Sequence, residues 1–238
     1  PRSLVITAKA VPQVRVTFEW HGRHHVFVIP PTYKEFDPPA SVTINRVLGP
    51  ARYSCARARV PFKLLAARAG LARYGRNNIA YLEDLGSFAR LNGWWTDMPA
   101  ASDPWQEPAM LPACATCQAC QKACPTGAIS GDQFLIHAGK CLTFFNEDDK
   151  PLPAWIQNGW HNALVGCLRC QLCCPANKHV KDWIVDGAAF TEEETAILLD
   201  CPKLEAVSPG MKAKLEKLGM EGDTVALGRN LGLLIDQS

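Results

Sequence analysis

The sequence lacks an apolar run long enough to cross a bilayer, and its first residues lack the basic, apolar and small-residue pattern of a leader peptide. These absences argue against an integral membrane protein and against a secreted one, so we expect a cytoplasmic location and no membrane partner. The first residue is Pro1 rather than Met, and a strand-like run follows at once. We therefore expect the chain to be a trimmed version of a longer protein.

An even number of cysteines is also missing. The chain has 11 cysteines in 238 residues, and it is far longer than the small secreted scaffolds that disulfides stabilise. A disulfide framework is therefore disfavoured. With 47% hydrophobic and 20% charged residues, the composition is that of a globular protein with one large or two small domains.

Acidic residues are absent from one long stretch, Arg46–Arg76. This stretch favours an anionic partner, such as the phosphate of a cofactor or a nucleic acid, although a solvated helix face has the same composition and charge alone favours that interpretation. Its eight basic residues are Arg46, Arg52, Arg57, Arg59, Lys63, Arg68, Arg73 and Arg76.

Two runs of cysteine are the strongest signal that the sequence does contain. The first follows the pattern Cys-x-x-Cys-x-x-Cys-x-x-x-Cys-Pro from Cys114 to Pro125, and the second extends from Cys167 to Pro175. The first run has the bacterial ferredoxin spacing, in which three close thiolates bind one 4Fe-4S cluster and the cysteine before proline binds a second. Two clusters need eight thiolates, and Cys141 between the runs completes that number.

The spacing predicts which cysteines bind each cluster. We expect Cys173 to lie outside the ligand set, because its use in place of Cys174 would break the spacing that the first run shows. Structural zinc is the main alternative, but it needs four ligands per ion and has no use for the third cysteine or for Cys-Pro. Cluster one takes Cys114, Cys117, Cys120 and Cys174, and cluster two takes Cys141, Cys167, Cys170 and Cys124.

Hydrophobic periodicity predicts several elements around these runs. Ser3–Ala8 is strand-like, and the alternating residues of Val14–Trp20 and His24–Ile29 predict a hairpin. Residues 32–51 are predicted to form a loop. A helix is predicted from Val60 to Gly70, short strands at 79–82, 91–95 and 133–136, a capped helix from Thr191, a further helix from Ser208, and a packed strand or helix at the end of the chain. His161 and Asn162 either donate hydrogen bonds to cluster sulfurs or cap a turn.

The order of motifs resembles the epoxyqueuosine reductase family and, more distantly, the corrinoid-dependent reductive dehalogenases. The resemblance covers about residues 55–180. It is carried by Ala67–Leu71, Gly75–Asn78, Gly86-Ser87, Thr96-Asp97, the cysteine-proline run continued as Thr126-Gly127-Ala128-Ile129, then Cys141, Asn162, Gly166-Cys167 and Cys170–Asn177. The family's upstream acidic residue, which the resemblance would make the proton donor, has no counterpart in Cys55–Arg59.

The resemblance implies an α+β fold in three parts. Residues 1–110 would form a nitroreductase-like α/β domain that binds cobalamin, residues 111–185 a ferredoxin-like domain with two 4Fe-4S clusters, and residues 186–238 a helical tail packed on the body. The corrinoid would lie at the glycine-rich turn, where successive backbone N–H groups can bind anionic oxygens. The expected contact residues are Tyr74, Gly75, Arg76, Asn77, Asn78, Gly86 and Ser87.

Three functions are compatible with these features. The preferred interpretation is a redox protein that passes single electrons from a reduced ferredoxin- or flavodoxin-type donor, through two clusters, to a bound corrinoid or a corrinoid protein. The second is an epoxyqueuosine reductase acting on tRNA, which the basic stretch allows and the missing acid disfavours. The third is a plain electron carrier. The pattern leaves open whether the chain is an enzyme, with an oxidoreductase favoured.

Overall fold

A computed structural model describes residues 1–36, 38–103 and 105–238. Within these ranges, no helix has both the length and the apolar character that crossing a membrane requires. The strands are β1 (Ser3–Ala10), β2 (Gln13–Trp20), β3 (Arg23–Ile29), β4 (Cys55–Arg57), β5 (Arg73–Tyr74), β6 (Ala80–Tyr81), β7 (Ala89–Thr96) and β8 (Ile184–Phe190). The helices are α1 (Ala40–Leu48), α2 (Phe62–Arg68), α3 (Ala119–Ala123), α4 (Leu142–Asn146), α5 (Arg169–Leu172), α6 (Glu192–Leu199), α7 (Pro209–Leu218) and α8 (Thr224–Ile235).

Two three-stranded sheets form the framework. One has the order β1-β7-β4 with antiparallel neighbours, and the other has the order β3-β2-β8. The predicted hairpin is confirmed, because β2 and β3 pair antiparallel around His21 and Gly22, both of which have positive φ. β8 then joins β2 in parallel, although residues 21–183 separate the two strands in the sequence. Such long-range pairing brings the end of the chain back to its beginning.

The largest hydrophobic core lies between the β3-β2-β8 sheet and the C-terminal helices. Alternating residues of β2 point into it, and Phe18 stacks on Phe190 of β8 with ring centroids 5.1 Å apart. Leu164 and Val165, from the segment just before Cys167, belong to the same core. The second cysteine run is thereby attached to the most deeply buried part of the molecule.

The loop prediction for residues 32–51 is wrong, because α1 occupies Ala40–Leu48. Its buried residues Ala40, Ile44 and Leu48 recur every four positions and pack with Trp94 of β7. This spacing is the ordinary signature of one buried helix face. The surrounding prolines and polar residues suggested a loop, and they lie before the helix and at its end.

The strand prediction for residues 133–136 is also wrong. In the described part of the chain no strand lies between β7 and β8. The Gln133 side chain donates to the Leu135 carbonyl oxygen at 2.7 Å, and Phe134 and Leu135 are exposed. A local turn therefore replaces the strand, since no neighbouring strand is available for pairing.

The remaining element predictions are confirmed within one or two residues. β6 and β7 occupy the strands predicted at 79–82 and 91–95, and α2 occupies the helix predicted before Gly70. Thr191 caps α6: its side chain accepts from the Glu194 N–H, and the Glu194 carboxylate accepts from the Thr191 N–H. The end of the chain is a helix, α8.

Candidate cluster and reduction site

Short helices position the two cysteine runs. Cys120 lies on α3 and Cys170 lies on α5, and these two helices pack against each other. Cys124 and Cys174 follow the helices in extended conformation, each directly before a proline that turns the chain away. The two runs therefore face one another, as two interlocked clusters require.

The first predicted ligand group assembles around Cys120. Burial and the neighbouring thiols of Cys173, Cys174 and Cys114 raise the pKa of the Cys120 thiol to about 11. Like-charged thiolates repel one another unless a metal neutralises them. Cys117 lies close to Cys173, which also approaches this group and donates its S–H towards the Cys170 carbonyl oxygen at 3.7 Å. The choice of Cys174 over Cys173 stays a prediction.

The second predicted group assembles at a cavity. Burial, with the thiols of Cys167 and Cys141 close by, raises the pKa of the Cys170 thiol above its ordinary value. Burial also opposes ionisation of Cys124, but the Thr126 hydroxyl and backbone N–H groups of the following turn outweigh it and hold the pKa of the Cys124 thiol below its usual range. All four predicted ligands line the same cavity.

The donor set fits two cubane clusters better than single ions. Among the described residues, no three His, Cys, Asp or Glu side chains are close enough to bind one metal ion. A cubane places its four thiolates on four different irons, so its ligands are spread further apart than those of one tetrahedral zinc. Eight thiols in two groups, each partly or fully removed from solvent, match that requirement.

Asn162 contacts the second group directly. Its Nδ2 donates to Cys167 Sγ at 3.2 Å, and its Oδ1 accepts from the Leu168 N–H at 2.9 Å. Asn162 therefore both donates to the sulfur of a predicted cluster ligand and accepts from the backbone of the following turn, so both of the roles considered for it are present. His161 makes no such bond: it is buried, and neither of its ring nitrogens has a hydrogen-bond partner among the described residues. Burial and the nearby Arg229 lower the pKa of His161 to about 4.

A seam of buried polar contacts joins the glycine-rich turn to the cluster segments. Asn77 Nδ2 donates to the Tyr81 hydroxyl at 2.9 Å, and burial together with the nearby Cys174 thiol raises the pKa of this hydroxyl. The Arg76 guanidinium donates to the Cys114 carbonyl oxygen. Tyr74 accepts a backbone bond from Leu111 at 2.8 Å. The predicted domain boundary at residue 110 is thus crossed by hydrogen bonds, and the division of the chain stays a prediction.

Gly86 and Ser87 belong to the same seam. Asn177, which is fully buried, accepts from the Ser87 N–H and donates to the Ser87 hydroxyl, both at 2.8 Å. Gly86 has φ of +52°, and a Cβ there would lie 2.2 Å from Asn177 Oδ1. Only glycine tolerates both the backbone conformation and this approach.

Three of the seven residues predicted to contact a corrinoid line the cavity: Asn77, Asn78 and Ser87. Tyr74, Gly75, Arg76 and Gly86 are not among its lining residues and serve the seam instead. Asn78 has a left-handed φ of 59° and closes the turn by donating its N–H to the Gly75 carbonyl oxygen at 2.9 Å.

The cavity has a volume of about 540 Å³ and a positively charged wall. Its lining includes the cations Arg57, Lys63, Arg90 and Arg169 and no carboxylate among the described residues. Three of these cations donate to carbonyl oxygens, Lys63 to Asn78 at 3.0 Å, Arg90 to Thr32 at 3.1 Å and Arg169 to Gly159 at 3.0 Å. In the part of the chain that the structure describes, no acidic side chain forms an ion pair with any of them.

Sequence reasoning did not select these cations, although one signal pointed to two of them. Arg57 and Lys63 belong to the stretch without acids, and the structure brings them to the cavity. Arg57 ends β4, the strand in which the family's acidic residue is missing; β4 pairs with β7, with Arg57 opposite Trp94. Arg90 and Arg169 had no signal in the sequence.

A match to a known protein family identifies the class of protein to which the chain belongs. The family model described as a 4Fe-4S double cluster binding domain matches residues 113–177, a range that includes all eight predicted ligands. The chain is an α+β iron–sulfur protein with a double-cluster domain, which confirms the two predicted clusters.

The relatives define the family. The epoxyqueuosine reductase of Cyclobacterium marinum is 33% identical over 162 residues, which cover 68% of this chain and 50% of that protein. The enzyme of Burkholderia pseudomallei is 32% identical over 120 residues, 48% of this chain and 29% of that protein. The chain is a divergent relative of the epoxyqueuosine reductases, and it spans half or less of the length of these proteins. The expected cofactor set, two 4Fe-4S clusters with cobalamin, agrees with this family.

Solved structures agree in fold. The epoxyqueuosine reductase of Streptococcus thermophilus superposes with a TM-score of 0.69 at 18% identity over 98% of this chain and 63% of that one. An epoxyqueuosine reductase solved with an epoxyqueuosine-modified tRNA-Tyr stem loop gives a TM-score of 0.61 at 20% identity, over 98% and 64% of the two chains. The Bacillus subtilis enzyme, described with a catalytic aspartate loop swung out of its active site, gives 0.61 at 19% identity, over 98% and 63%.

These relatives correct the preferred functional interpretation. A protein that only passes electrons to a corrinoid is not what the comparisons indicate, because the matched proteins are reductases with their own substrate. The absence of an acidic residue from Cys55–Arg59 is therefore not a sufficient reason to prefer an electron-passing protein over a reductase. The second interpretation, which the sequence disfavoured, is the one that the relatives favour.

Proposed function

We propose that this chain carries the reducing site of an epoxyqueuosine reductase-type enzyme that acts on a modified nucleoside of tRNA. The cavity is the place of reduction, and the two clusters deliver the electrons. The proposal follows the activity named for the relatives. It depends on one observation in this chain: a single cavity is lined both by four predicted cluster thiols and by the cations Arg57, Lys63, Arg90 and Arg169.

The cavity has the properties of a reduction site. Its volume of about 540 Å³ lies within the range of about 300–1,000 Å³ that is usual for small-molecule sites. Cys170 is within electrostatic range of Cys120 in the other group, so the two predicted clusters adjoin. The cysteines that would hold cluster two border the cavity, and those that would hold cluster one lie behind them, so bound clusters would connect the cavity to an electron donor.

The chain's own residues would hold the cofactors. The eight predicted cysteines bind the clusters, and Asn77, Asn78 and Ser87 form the wall at which we place a corrinoid. When bound, the clusters supply single electrons and the corrinoid supplies a low-potential centre for reduction. We further propose that residues 1–110 form the nitroreductase-like corrinoid-binding part, and that a reduced ferredoxin- or flavodoxin-type protein is the electron donor.

The charge of the cavity suits a polyanionic substrate. Arg57, Lys63 and Arg90 have no carboxylate partner in the described chain, and residues 46–76 contain eight basic residues and no acid. Cations of this kind attract a phosphodiester backbone and release its counterions on binding. An acidic protein domain of complementary shape would also match this surface. The charge therefore supports a tRNA substrate but does not select a particular tRNA sequence.

The test is single-turnover reduction of an epoxyqueuosine-modified tRNA stem loop. The protein is reconstituted without oxygen with iron, sulfide and hydroxocobalamin, reduced chemically, and mixed with the stem loop, whose nucleosides are then analysed by mass spectrometry. We expect loss of one oxygen atom from the modified nucleoside. The control is Cys124→Ala protein prepared in the same way, which should lack complete cluster two and give no product.

Binding supplies a second measurement. The stem loop should bind at low salt, and its affinity should fall linearly with the logarithm of salt concentration. A protein with both clusters and bound cobalamin that neither retains the stem loop at low salt nor removes the oxygen would refute the proposed function.

A further inference from the structure

Among the described residues, none that lines the cavity carries a carboxylic acid, so another lining group is needed to donate a proton. A guanidinium group does not serve as a proton donor in proteins, which sets aside the arginines of the lining, and the four cysteines are the predicted iron ligands. Tyr33 also lines the cavity, but its hydroxyl donates to Glu147, and burial and this bond raise its pKa above the ordinary value. Of the lining residues that the structure describes, Lys63 is then the remaining side chain that can release a proton.

Lys63 is held in place by the fold. It lies in the first turn of α2, and its Nζ donates to the Asn78 carbonyl oxygen at 3.0 Å, beside the residues of the turn that line the cavity. One of its three N–H donors is thereby used, and two remain for a substrate. The backbone of the left-handed residue Asn78 fixes the position of this carbonyl.

We infer that Lys63 is the proton donor of the reduction site, in place of the acidic residue that this chain lacks. The inference rests on the proposed function, because it assigns a role within the same cavity. It also explains why Cys55–Arg59 tolerates the absence of an acid.

The step balances in atoms and charge. Removal of an epoxide oxygen breaks two C–O bonds, forms a C=C bond and releases water, which consumes two electrons and two protons. The ferredoxin- or flavodoxin-type donor supplies the two electrons. Lys63 gives one proton to the departing oxygen and becomes neutral, water supplies the second proton, and the amine is protonated again by solvent.

The surroundings of Lys63 decide the direction of its pH dependence. The elements packed on α2 are β1, β5, β6 and β7, and none of them carries a carboxylate. Partial burial lowers the pKa of Lys63 from its usual value. The donor form is the ammonium, so activity should fall as pH rises through this lowered pKa. The titratable side chains of these elements are Lys9, Arg73, Tyr74, Tyr81 and Arg90. The other titratable residues of the cavity lining are Arg57, Arg169, Tyr33 and the four predicted cluster-two cysteines.

The experiment compares Lys63→Gln, Lys63→Arg and a matched control, Lys217→Gln on α7, in protein with equal iron and cobalt content. We expect both Lys63 variants to reduce the stem loop at least a hundredfold more slowly than the wild type, because a general acid contributes about 10²–10⁴ in rate. The alkaline decline of the wild-type pH profile should be absent in both, and the control should match the wild type.

The arginine variant separates proton donation from charge. It keeps the positive charge but releases no proton, so recovery of rate in Lys63→Arg would show an anion-binding cation and overturn the inference. A readout without turnover is the labelling rate of each lysine amine against pH, measured by mass spectrometry. Lys63 should titrate below the ordinary pKa of a lysine amine, and titration at the ordinary value also overturns the inference. If the wild type itself gives no product, the proposed function fails, whereas an active wild type with unchanged variants refutes Lys63 alone.

Discussion

Asn162 offers a direct measurement of how the chain controls cluster two. Its Nδ2 lies 3.2 Å from Cys167 Sγ, and its Oδ1 accepts from the Leu168 N–H at 2.9 Å. The hydrogen bond favours negative charge on the sulfur, which is why it opposes the effect of burial on the pKa of Cys167. Replacing Asn162 by Leu removes the donor and leaves a side chain of similar size.

The expected magnitude follows from the strength of the bond. A hydrogen bond to a charged group contributes about 1.5–3 kcal/mol, and the reduced cluster, which carries one more negative charge, gains more from it than the oxidised cluster. If the two states differ by about 1 kcal/mol, the loss corresponds to about 40 mV for one electron. The potential of cluster two should therefore fall by roughly 40 mV in Asn162→Leu. Asn162→Asp keeps the acceptor for Leu168 but adds a negative charge, so it should lower the potential further.

The assay is a redox titration followed by electron paramagnetic resonance, with the signal of cluster one as an internal reference. The wild type should have the highest potential, then Asn162→Leu, then Asn162→Asp, while cluster one stays unchanged in all three. An unchanged or raised potential of cluster two in the leucine variant would refute the reasoning, provided that the iron content equals that of the wild type.

Three further outcomes follow from the structure. Cys124→Ala should lose iron, whereas Cys173→Ala should keep about eight irons per chain by the two-cluster count, as measured by metal analysis; iron loss in the second variant would overturn the ligand choice. Gly86→Ala should destabilise the protein by about 3 kcal/mol in chemical denaturation, because alanine is strained at this positive φ and its Cβ would lie 2.2 Å from Asn177 Oδ1. The control is Gly210→Ala on the open face of α7, which should leave the free energy of unfolding unchanged or raise it by about 0.5 kcal/mol. Thr191→Ala removes the capping box of α6 and should cost about 1 kcal/mol, seen as a fall of about 2–4 °C in Tm; an unchanged Tm would show that the cap does not limit stability.

Local patterns predicted much of the secondary structure and missed the parts that depend on distant partners. The β2–β3 hairpin and the capped helix α6 have their signals within a few residues, so periodicity and capping residues sufficed. The parallel pairing of β8 with β2 has no local signal, because its partners are far apart in the chain. The helix α1 had the correct spacing of Ala40, Ile44 and Leu48, but nearby prolines obscured it.

The candidate site was also predicted only in part from the sequence. Cysteine spacing predicted two ligand groups, and the structure brings Cys124 together with Cys141, Cys167 and Cys170 around one cavity. The glycine-rich turn was predicted as a corrinoid site, yet much of it forms the seam with the cluster segments, since Arg76 bonds to Cys114 and Gly86 approaches Asn177. A turn's sequence does not reveal which partner its polar groups face.

The sequence alone determined the chemistry of the clusters, because thiolate ligands must occur at fixed short spacings whatever surrounds them. It also determined that the basic stretch from Arg46 to Arg76 contains no acid. Only the tertiary structure decided that Arg57, Lys63, Arg90 and Arg169 line one cavity together with the four cysteines predicted to bind cluster two. The physical reason is that the four side chains come from separate elements, β4, α2, β7 and α5, and only the packing of these elements sets which way each side chain points.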